Sequence, residues 1–174
     1  MGTMTLRRCK KCGLPRLLSR SLSWPGNGII VSLDDPGYRI VFIEADFLST
    51  LWSELDGFLD LPVSDTVLNC EYLMVRSYLK DLMFKGWRWR LLRNLPYTIF
   101  KRFSDNRRLL FGYGLTDTRE YRKGRVLVVR ATHVYDIFSL VGGLRGLFEI
   151  LEGKSSRAGW IEEENGYTIT LVFG

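Results

Sequence analysis

Apolar residues recur along this chain with two periods, so the pattern predicts both helices and strands. After residue 44, apolar residues fall at i, i+1, i+4, i+5, i+8, i+11 and i+12, which is one face of a helix. They are Phe47, Leu48, Leu51, Trp52, Leu55, Phe58 and Leu59. Upstream, β-branched and apolar runs at 29–33 and 38–43 flank the turn signal at 34–37, which predicts a hairpin. The first helix is therefore expected to follow a small β element.

Ser64 or Asp65 is predicted to cap the next helix, which runs to about Phe84. Its apolar residues cover more than one face, and they are Val67, Leu68, Tyr72, Leu73, Val75, Leu79, Leu82 and Met83. A helix that is apolar over a wide arc is buried or packs against another chain. We therefore expect a homodimer. Cys70 lies in the middle of this helix and is expected to be a packed core thiol.

The second half of the chain predicts a third helix from Pro96 to about Phe111, followed by alternating hairpins and one more helix. Strands at 115–121 and 125–133 form one hairpin, and strands at 158–163 and 167–173 form another around an Asn-Gly turn. Asp136 caps the helix between them, whose glycines let a neighbouring backbone come close. The expected class is α+β, a mixed, mainly antiparallel sheet built from hairpins and packed with about four helices.

Length and composition favour one ordinary domain. The chain has 174 residues, of which 46% are hydrophobic, so it can bury a core without metal or disulfides. We expect a basic N-terminal segment at 1–27, which carries a Cys-x-x-Cys knuckle, and a single α+β ligand-binding-type domain at 28–174. Three cysteines favour a reducing, cytoplasmic compartment, and no stretch approaches the ~20 apolar residues of a membrane span.

The knuckle is the sequence Cys9-Lys10-Lys11-Cys12-Gly13, which places two thiolates on one side of a tight loop. That geometry suits zinc, but a closed site needs four ligands, and the chain has only three Cys and one His. Cys70 and His133 could complete the site, or two chains could each supply the pair. Alternatively, the segment could be a zinc ribbon that has lost its second half. The alternative is two thiols on a basic tail. We expect that any zinc is shared between chains.

Cations and aromatic residues are interleaved between residues 85 and 108. The cations are Lys85, Arg88, Arg90, Arg93, Lys101, Arg102, Arg107 and Arg108. Arginines on phosphates and aromatic faces on bases are typical of single-strand binders. With a net charge of +6, the chain permits a nucleic acid or another polyanion as partner. The simpler interpretation is that the aromatics face the core and the cations face solvent.

Little in the sequence supports catalysis. His133 is the only histidine and follows a predicted strand, where a structural or surface role is expected. There is no nucleophile elbow, no phosphate-binding glycine loop and no convincing pair of carboxylates. We therefore expect a protein that is not an enzyme.

The order of elements in the second half resembles the 4-vinyl reductase domain family. The resemblance rests on Gly112-Tyr113-Gly114-Leu115, the strand Val126–Arg130, Tyr135-Asp136, and the glycine-bearing helix that ends at Glu152-Gly153. That family shares its fold in outline with the TRAPP vesicle-tethering subunits and is related to heme-NO-binding domains. Many members carry cysteines in the closing segment, whereas residues 134–174 here contain no Cys and no His. The resemblance thus implies the architecture and a pocket, without reductase chemistry.

These observations together predict a non-enzymatic regulatory or scaffold domain that binds a small apolar molecule. The resemblance implies an apolar pocket between helices and sheet, and the aromatic residues expected to line it are Trp52, Phe100, Phe103 and Phe111. The alternative function is binding of a nucleic acid or another polyanion through the segment at 85–108.

Overall fold

A computed structural model describes residues 7–10, 15–23, 25, 29–33, 39–41, 44–59, 62–79 and 114–174. The chain divides into two compact units, residues 1–44 and residues 45–174. The helix predicted from Pro96 to about Phe111 lies outside the described residues, as does the whole segment at 85–108.

The first unit contains one short helix and a small antiparallel sheet. Helix α1 (Arg16–Ser21) is followed by β1 (Leu22–Ser23), β2 (Ile30–Ser32) and β3 (Arg39–Ile40), which pair in that order. The pairing of β2 with β3 confirms the predicted hairpin. Within the basic N-terminal segment at 1–27, α1 and β1 form regular structure and Leu22 is almost fully buried.

The second unit combines three described helices with a four-stranded sheet. Its helices are α2 (Ala45–Leu59), α3 (Val63–Tyr78) and α4 (Ile137–Glu152). Its strands are β4 (Leu115–Arg122), β5 (Val126–Thr132), β6 (Ser156–Glu163) and β7 (Gly166–Phe173). The strand order is β4-β5-β7-β6, and every pairing is antiparallel. The α+β class and both predicted hairpins of the second half are confirmed.

The two long helices that meet in this unit begin in different ways. Asp136 caps α4 as predicted, since its carboxylate accepts hydrogen bonds from the backbone N–H of Phe138 at 3.2 Å and of Ser139 at 3.0 Å. Helix α3 begins at Val63, and its N-cap residue, Pro62, provides no side-chain hydrogen bond to the first turn. Asp56 of α2 instead accepts from the Ser64 backbone N–H at 3.2 Å and from the Ser64 hydroxyl. The cap of α3 therefore comes from the preceding helix.

The core lies between α4 and one face of the sheet. Strand residues alternate between the two faces, and the buried set of β5 and β7 faces the helix. That set comprises Leu127, Val129, Ala131, Ile169, Leu171 and Phe173, and α4 contributes Leu140, Val141, Leu144 and Phe148. Burial of each large aliphatic side chain stabilises the fold by about 1.5–3 kcal/mol before entropic losses.

Helices α3 and α4 approach each other closely at two glycines. A Cβ on Gly142 would lie 2.4 Å from the carbonyl oxygen of Leu68, and a Cβ on Gly146 would lie 2.8 Å from that of Tyr72. Both oxygens belong to the backbone of α3, which cannot move aside without shifting the helix. The expectation that these glycines admit a neighbouring backbone is therefore confirmed at Gly142 and Gly146.

We predict that Gly142→Ala and Gly146→Ala lower the free energy of unfolding by about 1–3 kcal/mol each, because the methyl group overpacks the contact. Gly143→Ala is the matched control, since a Cβ there meets only side-chain atoms of α3 at 3.7 Å or more. That variant should be neutral or more stable by up to ~1 kcal/mol, the gain in helix propensity. Urea unfolding of the three variants measures the difference. Equal effects at all three positions would contradict the close contact.

Candidate functional site

Trp52 presents an unpaired hydrogen-bond donor inside the second unit. It lies in the middle of α2, and its side chain is partly buried. The indole Nε1 atom itself is buried and makes no hydrogen bond within the described part of the chain. Buried donors are nearly always paired, and an unpaired donor destabilises a protein by about 1–3 kcal/mol. This N–H is therefore a candidate contact for a bound molecule that carries an acceptor.

A second polar feature surrounds the carboxylate of Glu149 on α4, whose side chain is only 4% exposed. One oxygen, Oε2, accepts from the Tyr72 hydroxyl at 2.7 Å and lies 3.3 Å from an Arg76 nitrogen. The other oxygen, Oε1, accepts from Arg145 Nε at 3.0 Å and from the Ser156 backbone N–H at 2.8 Å and hydroxyl at 3.0 Å. One carboxylate therefore links α3, α4 and the start of β6.

Two guanidinium groups also pack around the ring of Tyr72. The Arg145 group lies 4.6 Å and the Arg76 group 5.2 Å from the ring centroid. Arg76 in addition donates a hydrogen bond to the Tyr72 hydroxyl. We name Tyr72, Arg76, Arg145, Glu149 and Ser156 the Glu149 network.

The environment of Glu149 favours its ionised form. Burial of the carboxyl group raises its pKa, but hydrogen bonds from Tyr72, Ser156 and Arg145 outweigh that effect and hold the pKa below its ordinary value. An ionised carboxylate whose two oxygens are saturated with donors is a poor general acid or base. The Glu149 network is therefore an anchor between elements, and it leaves Trp52 as the better candidate for ligand contact.

Of the residues predicted to line a pocket, Trp52 alone belongs to the described part of the chain. Phe100, Phe103 and Phe111 lie outside it, and so do all eight cations of the segment at 85–108. The structure therefore places Trp52 on α2 and leaves the rest of the pocket and the polyanion-binding surface as predictions.

The predicted metal site is also described only in part. Cys9 is half-buried, Cys12 lies outside the described residues, and no group of three or more His, Cys, Asp or Glu side chains forms a metal site within the described ranges. Arg8 and Pro15 form a β-bridge, and the Arg16 backbone N–H donates to the Arg7 carbonyl at 2.7 Å. Residues on the two sides of the cysteine motif are thus paired with each other.

Cys70 and His133 differ in how well their predicted roles agree with the structure. Cys70 is exposed, so the prediction of a packed core thiol was wrong. The reason is the direction of α3, which turns Leu68, Tyr72 and Val75 towards α4 and so turns Cys70 away. His133 is exposed at the end of β5, as expected for a surface residue, and has a φ of 55°.

Two solved structures are similar in fold to this chain. No family model matches the sequence, and no curated protein matches it. The structure is similar to the phenol-responsive sensory domain of the transcription activator PoxR, solved with phenol, with a TM-score of 0.65 and 12% identity. That match covers 91% of this chain and 87% of the PoxR domain.

A second similar structure is trafficking protein particle complex subunit 3 from Naegleria fowleri, which is covalently bound to palmitic acid. The TM-score is 0.51 at 9% identity, and the match covers 75% of this chain and 95% of that subunit. At these identities the likeness establishes a shared fold. It agrees with the fold that the sequence resemblance implied, including the link to the TRAPP subunits. No helix of the described ranges is long and apolar enough to cross a membrane.

Sequence reasoning missed the Glu149 network, although part of its signal is local. Arg145 and Glu149 stand four residues apart on α4, and Tyr72 and Arg76 stand four apart on α3, which is the spacing of side-chain pairs on a helix. That spacing could have identified each pair. It could not show that the two pairs meet, because the meeting depends on the packing of α3 against α4.

We predict that Glu149→Gln lowers the free energy of unfolding at pH 7 by about 2 kcal/mol, because an amide NH2 would face donors that now bind a carboxylate. The lowered pKa of Glu149 also makes the free energy of unfolding depend on pH. The carboxylate stabilises the native state above the unfolded-state pKa of about 4.3, and this contribution is lost as pH falls through the lower native pKa.

As the pH falls below about 4.3, the free energy of unfolding of Glu149→Gln should therefore decrease less steeply than that of the wild type. Urea unfolding at pH 3 to 7 measures both effects, and Glu164→Gln, at an exposed turn position, is the control. Parallel pH curves for wild type and Glu149→Gln would contradict this account.

Proposed function

We propose that this protein is a non-enzymatic regulatory domain that binds a small, largely apolar molecule, and that it is related to the 4-vinyl reductase domain family. The proposed site lies on the helical side of the second unit, next to Trp52. Phe100, Phe103 and Phe111 are proposed to complete its apolar lining. The observation that carries the proposal is the buried, unpaired indole N–H of Trp52.

The unpaired donor also defines the chemistry of the ligand. A ligand with an oxygen acceptor next to an apolar body would pair the Trp52 N–H and bury its remaining surface, and each effect favours binding. A pure hydrocarbon would gain only the second effect. We therefore propose an aromatic or aliphatic molecule that carries a hydroxyl, carbonyl or carboxylate group.

The fold gives independent support to this proposal. The PoxR domain was solved with phenol, and the trafficking subunit carries palmitic acid. Both molecules have an apolar body and at least one oxygen. Because the sequence identity to either protein is low, the support is for the kind of ligand, and the identity of the ligand depends on side chains that this chain does not share with them.

We predict that Trp52→Phe weakens the binding of phenol about 5- to 10-fold, the loss of one hydrogen bond worth roughly 1–1.4 kcal/mol. The same substitution should leave the binding of toluene unchanged, because phenylalanine keeps an apolar ring at this position. Isothermal titration calorimetry with the two probes measures this difference.

Trp160→Phe is the matched control, since Trp160 lies on β6 and packs edge-on against Phe138. It should leave the affinity for both probes unchanged. Equal loss of phenol and toluene binding in Trp52→Phe, or no binding of either probe to wild type, would contradict the proposed site.

We also propose that Cys9 and Cys12 bind zinc, and that two chains share one ion. Support comes from the pairing of Arg8 with Pro15, which flank the Cys-x-x-Cys motif, since this motif suits tetrahedral zinc. A chain that supplies two thiolates needs a second chain to reach four ligands.

The cysteine usage of the chain also supports a cytoplasmic location for the protein.

We predict one zinc ion per two chains after reconstitution with zinc, and none in the Cys9→Ser, Cys12→Ser double variant. Elemental analysis combined with native mass spectrometry gives the metal content and the stoichiometry together. Zinc at one ion per chain would contradict sharing between chains, and metal-free wild type would contradict the site.

A further inference from the structure

Strand β6 forms an edge of the four-stranded sheet, since it stands last in the strand order β4-β5-β7-β6. It pairs with β7 from Ser156 to Glu163 without a shift in register. No other strand of the described ranges pairs with its outer side. A long, regular edge of this kind offers backbone donors and acceptors to a further strand. Strand β6 is therefore a candidate site for the addition of a strand.

The opposite edge, β4, has features by which proteins discourage strand addition. A bulge interrupts its pairing with β5 between Thr118 and Glu120. Its charged side chains are Asp117, Arg119, Glu120 and Arg122. Strand β6 has no bulge, its central residues 158–161 are uncharged, and Ile161 is 70% exposed. Because bulges and charges block edge-to-edge pairing, the two edges of the sheet differ in their capacity to accept another strand.

The hydrogen bonds at the start of β6 show which of its backbone groups point outward. Gly174 donates its backbone N–H to the Ser155 carbonyl at 3.1 Å, so Ser155 directs its backbone groups towards β7. Ser156 instead donates its N–H to Glu149 at 2.8 Å, away from β7. This direction alternates along a strand, so the even-numbered residues of 158–162 direct their N–H and C=O groups outward. A strand placed beside β6 would pair all of these groups.

The side chains of β6 are arranged so that an antiparallel copy of the same strand complements them. Arg157 and Glu163 stand near its two ends on the sheet face opposite α4, and Arg157 makes no ion pair within the described ranges. With Trp160 opposite Trp160 of the partner subunit, Arg157 faces the partner's Glu163 at both ends of the contact. Cross-strand pairs of opposite charges and of aromatic residues stabilise a sheet.

The same register also fits the shape of the edge. Ile161 faces the partner's Gly159, where a Cβ would meet no atom within 4 Å and the surface is therefore open. The outward backbone groups of Ala158 face those of the partner's Glu162, and no like charges stand opposite each other. A twofold axis through Trp160 requires this kind of self-complementary pattern.

We infer that β6 pairs with β6 of a second copy of this chain, so that two four-stranded sheets join into one continuous sheet. The charges of the edge select this occupant, because the added strand must carry an anion opposite Arg157 and a cation opposite Glu163, which an antiparallel β6 does. The contact uses one strand from each chain, so the dimer is expected to be weak and reversible. The inference depends neither on the proposed ligand nor on the proposed zinc site.

The test uses the full-length Cys9→Ser, Cys12→Ser variant, in which zinc cannot join two chains. Sedimentation velocity from about 1 µM to about 1 mM, the range of weak contacts, should show a monomer–dimer equilibrium. Glu162→Pro should abolish the dimer, because proline removes an N–H that points outward and keeps the pairing with β7. Glu162→Ala is the matched control, since alanine keeps this N–H, and it should leave the dimer intact.

The pairing of charges gives a second test in the same background. Arg157→Glu should weaken the dimer about 5-fold or more, because it sets a carboxylate opposite Glu163 at both ends of the contact. Glu163 itself stays in place, since Arg130 Nε lies 3.5 Å from its carboxylate within the same chain. Lys123→Glu, at the exposed turn between β4 and β5, changes the net charge equally and should leave the dimer unchanged.

Disulfide trapping tests the register. In chains whose three native cysteines are replaced by serine, Gly159→Cys and Ile161→Cys are made separately and mixed under mild oxidation. The two positions face each other as a non-hydrogen-bonded pair, whose Cα atoms lie about 4.5 Å apart and suit a disulfide. The mixture should therefore form linked dimers faster than either variant alone, in which the new thiols stand diagonally across the pair.

Several outcomes would overturn the inference. A monomer at every concentration would do so, as would a dimer that survives Glu162→Pro or equal trapping in the mixture and in the separate variants. Circular dichroism and thermal unfolding check that each variant is folded, and an unfolded Glu162→Pro would leave the charge and trapping tests to decide. Because phenol binding is measured separately, failure of this interface and failure of the ligand site are distinguishable.

Discussion

The close contact between α3 and α4 is the constraint on which the rest of the second unit depends. Gly142 and Gly146 let the backbone of α3 lie directly against α4. That approach brings Tyr72 and Arg76 of α3 within hydrogen-bond reach of Glu149, whose carboxylate also holds Ser156 at the start of β6. A larger separation would leave a buried carboxylate with too few donors, which is far more unfavourable than the loss of a surface ion pair.

The same contact decides which way each residue of α3 points. With Leu68 and Tyr72 turned towards α4, Cys70, Leu73 and Met74 are turned to solvent. One face of α3 therefore builds the core of the unit, and the opposite face exposes the apolar side chains of Leu73 and Met74. The wide apolar arc of this helix in the sequence thus combines a face that packs against α4 with apolar residues that the fold leaves exposed.

The sequence predicted those features whose causes are local. Asp136 caps α4 through N–H groups two and three residues away, and an Asn-Gly turn joins β6 to β7, so both could be read from neighbouring residues. The features it missed depend on distant residues. Asp56 caps α3 across the turn between two helices, Glu149 binds a tyrosine 77 positions earlier in the chain, and the exposure of Cys70 depends on the rotation of α3. Periodicity alone could not predict that rotation, because apolar residues occupy both faces of α3.

The candidate site shows the same division between local features and features that depend on distant residues. The aromatic excess of the sequence indicated Trp52, whereas only the structure revealed that its N–H is buried and unpaired. We propose that this N–H binds the oxygen of a small apolar ligand. The most direct test is a two-dimensional 15N–1H spectrum of the indole groups during a titration with phenol, with the Trp52 signal assigned from Trp52→Phe. As the hydrogen bond forms, the Trp52 indole signal is expected to move downfield and to saturate. A titration in which the Trp52 signal stays unmoved while phenol binds, or in which no indole signal responds, would contradict it.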